Sequence, residues 1–495
     1  MKKMFTKLFS IALIIGLLIT GVTVKAQTTY ASAETLHKKK TTKPDSAATS
    51  ATEIAKVTAT VVSTPADPID TAWHPQRRLW GYAFGDAYYD QHSPAVTSTF
   101  GKENNYYQTP SNRNAFQFRR LYLGYDYEIN KKFKAEVLLA SEPNENTTLY
   151  TTSTSTSAAP VTTGVVSGDN LADGKMSFYI KNFNLRTRDV WAGTDFIIGE
   201  MSTPGFALNE PGTNGPTSLS ETTWGYCSIE RTITDFHKNN SYDVGAALQG
   251  TFDPKTKNFG YVFMIGDNTT SSLTTVYNPS TTAGVTATNP NPNTGFFKIF
   301  YGDLWGKFLN NKLYVDLYAD YAKTASNTPV AATVIPAGTL GTQEHNMFKL
   351  FVAYNSSPIS VGVEAYTQKF GIGVTDKTTL TAQNVTAQGL SLWAKGAIVK
   401  NKWGWFARYD SYNPDTKFVS ANTYTVNTNY GSYDPTVKEK FVTAGLDFTP
   451  AKNIHFMPNI WLTQYVEQLA STTSGYMPDN HTLVYRMTFF YTFGK

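Results

Sequence analysis

From Leu79 onward the chain is built on a period of two. Stretches of about ten residues switch between apolar and polar at each step, which is the mark of a β-strand whose two faces meet different surroundings. In 313–321, Leu313, Val315, Leu317, Ala319 and Tyr321 share one face, and Tyr314, Asp316, Tyr318 and Asp320 the other. In 133–142, Phe133, Ala135, Val137 and Leu139 oppose Lys134, Glu136 and Glu142. In 404–410, Trp405, Ala407 and Tyr409 oppose Phe406, Arg408 and Asp410. The last strand obeys the same rule: Leu483, Tyr485, Met487, Phe489, Tyr491 and Phe493 alternate with Val484, Arg486, Thr488, Phe490, Thr492 and Gly494.

The punctuation between strands is equally regular. Seven tight turns lie at 129–132, 188–193, 253–257, 309–312, 355–358, 400–402 and 450–453. Eight long Thr/Ser/Asn/Gly-rich loops lie near 90–114, 143–174, 202–241, 268–294, 323–343, 369–386, 413–437 and 465–480. Fifteen connections give sixteen strands, and strict alternation of short and long places all short turns at one end. An even-stranded, up-and-down, transmembrane antiparallel β-barrel requires this pattern. Apolar outward faces with every backbone group paired are what a membrane demands. The closing strand at the C-terminus then pairs with the first, near 79–89, so that no edge stays open. Aromatics near the short turns (Tyr127, Phe133, Phe308, Tyr314, Trp403, Trp405, Phe448 and Phe456) are the expected interfacial girdle. In 175–187 Phe178 and Ile180 follow one register and Phe183 and Leu185 the other, which predicts a bulge. In 115–128 the polar set Asp126 and Glu128 places Arg120 inside and Arg119 outside.

The rest of the chain adds boundaries. Lys2, Lys3 and Lys7 precede the run "LFSIALIIGLLITGV", and Val24-Lys25-Ala26 supplies a cleavage pattern, so residues 1–26 are expected to be a signal peptide. Residues 27–78, rich in Thr, Ser, Ala and Lys, are expected to be a flexible periplasmic leader, and 79–495 the barrel. Without the four lysines of the signal, 39 basic side chains face 38 acidic ones, which removes the bulk case for nucleic-acid binding. The lone Cys227 forms no internal disulfide. The seven histidines show no zinc spacing, no phosphate-cradling or nucleophile-elbow motif is present, and neither enzyme activity nor a cofactor or metal is expected.

The stretches "FIIGEMSTPGFALNE" (196–210) and "SLSETTWGYCSIERT" (218–232) resemble the phosphate-selective porin O and P family, through Gly199, Pro204, Phe206, Ser220, Glu230 and Arg231. "FRRLYLGYDYEINKKFKAEVLL" (118–139) is similar to that family's Arg-Arg-led hairpin, and "FARYDSY" (406–412) to its Arg-Tyr-Asp strand. The resemblance spans about 79–495. It implies a homotrimeric outer-membrane channel whose third long loop, here 202–241, folds inward and narrows the pore. That loop carries Glu221, Glu230, Arg231, His237 and Lys238, which form either a charged constriction or ion pairs to the wall. Arg120, Arg186, Arg408 and Arg486 are expected to line the lumen, with Lys298 and Lys395. Asp126, Glu136, Asp316, Asp320 and Asp410 are interleaved with them, which favours mutual pairing over a ladder for anions. The expected function is passive diffusion of small hydrophilic solutes or ions, with anion preference one form of it. A phosphate-specific channel, a sugar-specific channel with Tyr314, Tyr318, Trp393 and Phe406 as its track, and an adhesion barrel are the alternatives.

Overall fold

The computed structural model describes residues 76–92, 111–141, 148–153, 161–166, 178–206, 232–237, 241–267, 298–326, 341–356, 358–376, 382–418, 424–426, 437–467 and 480–494. Its strands are β1 (Arg77–His92), β2 (Asn114–Glu128), β3 (Phe133–Ser141), β4 (Thr148–Ser153), β5 (Val161–Val166), β6 (Tyr179–Trp191) and β7 (Thr194–Ser202). There follow β8 (Tyr242–Thr251), β9 (Phe259–Gly266), β10 (Ile299–Phe308), β11 (Leu313–Ser326), β12 (Gly341–Asn355) and β13 (Ile359–Asp376). The last are β14 (Ala382–Val399), β15 (Trp403–Asn413), β16 (Tyr424–Val426), β17 (Val437–Ala451), β18 (Ile454–Glu467) and β19 (Asn480–Phe493). Strands β4 and β5 form a separate hairpin inside the loop at 143–174, and β16 adds to the edge of β13. The other sixteen make the wall, each antiparallel to its neighbour. The ring closes where β19 meets β1, from Gly81 opposite Phe493 to His92 opposite Thr482.

Each of the seven short turns overlaps the span the punctuation gives it, but β6 runs on to Trp191 and β17 to Ala451, leaving tighter turns at 192–193 and 452–453. Their chemistry explains their tightness. Asn310, Asn311, Asn401 and Asn453 take positive φ, a region that asparagine tolerates better than most residues. Asp253 accepts from the Lys255 amide (2.8 Å) and the Thr256 hydroxyl (2.7 Å), and these bonds hold its carboxyl below the usual carboxylate range. The loop at 369–386 is shorter than the sequence suggests, because β13 and β14 continue past the rim to Asp376 and back from Ala382. The barrel also begins two residues earlier than expected, at Arg77.

Alternation translates into two surfaces. Leu317, Tyr485, Met487 and Phe456 stay exposed on the outside, whereas Asp316, Tyr318, Arg486 and Thr488 are buried on the inside. Tyr314 is inward and buried, so it is not part of the outer girdle. The predicted bulge in β6 is present: the register against β3 skips Lys181, which lets Ile180 and Phe183 both face out. A second bulge corrects the reading of β2. The register against β1 jumps from Arg120 opposite Phe84 to Phe118 opposite Gly85, leaving Arg119 as the extra residue. Arg119 and Arg120 therefore both point inward and are both buried, because a bulge resets the alternation that seemed to exclude one of them.

Glycines opposite aromatic rings tie the wall together. Trp80 lies on Gly124, Trp305 on Gly260, Trp393 on Gly362 and Tyr366 on Gly389, each pair in direct cross-strand register. The ring fills the pleat that the missing side chain leaves. A Cβ at Gly362 would stand 2.5 Å from the Trp393 ring. We expect Gly362→Val to force that ring off its neighbour strand and cost about 1–3 kcal/mol, read as a lower urea midpoint in detergent.

Candidate functional site

An aqueous lumen needs a wall wider than its contents. Sixteen strands about 4.8 Å apart and tilted by about 40° enclose roughly 30 Å between opposite backbones. The contents of this barrel start with the segment that leaves β7 and returns to β8. Its ends are clasped where the Thr203 amide donates to the Ser241 carbonyl (3.0 Å). Pro204–Phe206 packs against β9, β10 and β11, and the Lys349 ammonium donates to the Gly205 carbonyl. The helical turn Ile233–Phe236 is capped by Thr232, whose hydroxyl accepts from the Asp235 amide (3.3 Å).

This turn touches the inner wall on several sides. Ile233 is fully buried in an apolar cluster with Met264, Tyr301, Tyr318 and Tyr366. The Thr234 hydroxyl donates to Glu364 of β13 (2.9 Å). Asp235 stands 4.0 Å from the Arg120 guanidinium of β2. Phe236 meets Phe441 and Trp461 edge to face, at 6.0 and 6.4 Å between centroids. His237 stacks on Tyr412 at 3.6 Å. Its Nδ1–H donates to the Ile233 carbonyl (2.7 Å) and its Nε2 faces Glu439 (3.2 Å). Both ring nitrogens thus face oxygen atoms. Counted round the wall, β2 and β13 lie nine strands apart one way and seven the other, close to opposite. One turn of helix reaching both stands across the lumen at the section it occupies.

Most buried cations of the inner wall gather on one side of it. Interleaved with the buried carboxylates Asp86, Asp90, Asp126, Asp410 and Glu439, the arc from β15 through β19 to β6 carries Arg119, Arg120, Lys181, Arg408 and Arg486, all buried. Each rests on an aromatic face: Arg486 at 3.7 Å from the Trp461 ring, Arg120 and Lys181 within 5 Å of Tyr122, Arg408 at 5.3 Å from Phe236. Asp86 serves two of them, at 2.5 Å from Arg119 and 2.6 Å from Arg486, and also accepts from Thr488 (2.6 Å) and Gln117 (3.1 Å). Arg408 is held by Asp410 (2.7 Å). On the arc from β8 to β13 lie Asp243, Asp303, Asp316, Asp320 and Glu364, with Lys349 as the buried cation among them. At the short-turn end the wall opens into a cavity of about 1010 Å³ lined by Ser360, Lys395, Phe406, Asp447 and His455. There His455 bonds Asp447 (2.8 Å).

The residues singled out from sequence fare unevenly. Arg120, Arg408 and Arg486 come together on the arc from β15 to β6, while Arg186 lies nearer the short-turn end, paired with Asp195 (3.1 Å) and Glu136 (3.7 Å). His237 reaches the inner wall as described. Glu221, Glu230, Arg231 and Lys238 lie outside the described residues. Lys298 pairs with Asp267 at the opposite rim. The proposed aromatic track is not a track. Tyr314 and Trp393 sit in one buried cluster, Tyr318 in a second and Phe406 in a third, and the Trp393 ring is spent on Gly362. Asp86, Lys349, Glu364 and Glu439 were missed. Each is a charged residue at an inward position of its strand, such as Asp86 between Phe84 and Tyr88, and that lone signal marks it.

No protein-family model and no curated protein matches the chain. Solved structures similar to it include the anion-selective porin from Comamonas acidovorans, at 11% identity and TM-score 0.46 over 85% of this chain and 100% of that one. The outer membrane channel DcaP of Acinetobacter baumannii gives 11% identity and TM-score 0.48 over 85% and 97%. OmpT of Vibrio cholerae gives 9% and 0.43 over 85% and 99%. The barrel itself stands on its own strand pairings.

Proposed function

We propose that the chain is an outer-membrane porin, through which small hydrophilic solutes and ions diffuse passively, narrowed at mid-height by the segment between β7 and β8. The observation that carries this reading is a closed wall, apolar outside and charged inside, with one helical turn anchored to nearly opposite inner faces. No chemistry is required of it. Solutes exchange part of their hydration for fixed charges and leave. Glu221, Glu230, Arg231 and Lys238 belong, on this reading, to the same narrowing as His237. The homotrimer and the cleaved signal peptide are part of the proposal.

A weak anion preference is supported by one local excess of positive charge, where Arg119 and Arg486 share the single carboxylate of Asp86. Arg486→Ala leaves Asp86 neutralised by Arg119 and removes one positive charge from the inner wall. In planar bilayers under a KCl gradient, the reversal potential is expected to move toward that of a cation-preferring channel. An unchanged reversal potential would place Arg486 off the ion path.

A further inference from the structure

The two ends of the barrel carry opposite charge. The seven short turns hold nine basic residues against two acidic ones, whereas the eight long loops hold eight basic against fourteen acidic. The excess at the short-turn end is lysine: Lys131 and Lys132, Lys255 and Lys257, Lys312, Lys400 and Lys402, and Lys452. They sit on five of the seven turns, spread round the whole ring, and none of these ammonium groups makes an ion pair among the described residues. Seven of the eight are exposed, and Lys257 alone is half-buried. Beside them the outer wall ends in exposed apolar side chains, including Phe133, Phe252, Leu309, Val399 and Ile454.

An ammonium group one or two residues beyond an apolar outer belt is the arrangement in which lysine lays its stem along hydrocarbon and its charge in the headgroup layer. A protein partner would meet cations on one side of the rim. These surround it, so what they face must also surround it. We infer that the short-turn rim binds anionic phospholipid headgroups of the adjoining leaflet, with one or two lipids held at each lysine-bearing turn. The function is orientation and retention: the ring fixes that end of the barrel at the headgroup plane and collects a shell of anionic lipid. This does not depend on what passes through the lumen.

The test compares the full chain with a variant carrying Lys→Gln at all eight positions, both reconstituted in phosphatidylcholine vesicles. Electron spin resonance measures the motionally restricted fraction of spin-labelled phosphatidylglycerol and of spin-labelled phosphatidylcholine. The wild type should favour phosphatidylglycerol by up to about fivefold at low salt. The preference should fall toward one at 1 M NaCl, where the Debye length is about 3 Å. The variant should show a ratio near one while keeping its heat-modifiable gel mobility. No preference in the wild type, or the same preference in both proteins, would overturn the inference. So would sedimentation of the wild type, and not the variant, with purified peptidoglycan in the absence of any phosphatidylglycerol preference, since that assigns the lysines to the cell wall.

Discussion

Asp86→Ala should be the most damaging single change in the barrel wall. The carboxylate is fully buried, and so are the Arg486 side chain and nearly all of Arg119, the two cations it neutralises. Removing it leaves two guanidiniums side by side with no negative charge between them, and strands the Thr488 hydroxyl and the Gln117 amide that donate to it. Breaking a buried pair in this way costs about 3–5 kcal/mol, because the surviving charge keeps its desolvation penalty and loses its partner. The expected result is a clear drop in the urea midpoint, with the heat-modifiable gel band lost at lower temperature. Adding Arg486→Gln should restore part of the loss, since one unpaired charge is then removed. If the double variant is no better than the single one, the cost lies in packing and not in charge.

Replacing residues 207–240 by a short Gly-Ser bridge should raise single-channel conductance severalfold. The geometry permits the bridge because Thr203 and Ser241 are already joined by a backbone hydrogen bond. It should matter because the helical turn at Ile233–Phe236 is tied to Glu364 on one side and Arg120 on the other. With it go the stack of His237 on Tyr412 and the insertion of Phe236 between Phe441 and Trp461. Some stability is lost with the apolar burial of Ile233, so folding is checked by gel mobility before recording. A folded variant with wild-type conductance would remove this segment from the narrowing.

Most of the wall was legible because its cause is local. A residue such as Leu317 faces lipid and its neighbour Asp316 does not, and that contrast is written at every second position. The short turns were legible for the same reason, through Asn310-Asn311 and Asn401. The ring closure followed from counting. What stayed hidden arises between distant strands. Arg119 faces inward because a bulge opposite Phe84 and Gly85 resets the register, and nothing near Arg119 in sequence announces it. Asp86 could be recognised as polar and inward, yet its two partners lie 33 and 400 residues away. The aromatic candidates misled because an inward Trp is read from sequence as a surface for solutes, whereas Trp393 lies flat on Gly362. The contacts of Asp235, Thr234 and His237 needed the barrel to be closed before their partners existed.

The most direct measurement is planar-bilayer recording of the purified full-length protein in symmetrical KCl. The account predicts discrete current steps of uniform size, ohmic at low voltage and rising with salt concentration, as passive diffusion through a fixed narrowing requires. A preparation that is folded by its heat-modifiable gel mobility and yet inserts without conducting would contradict it.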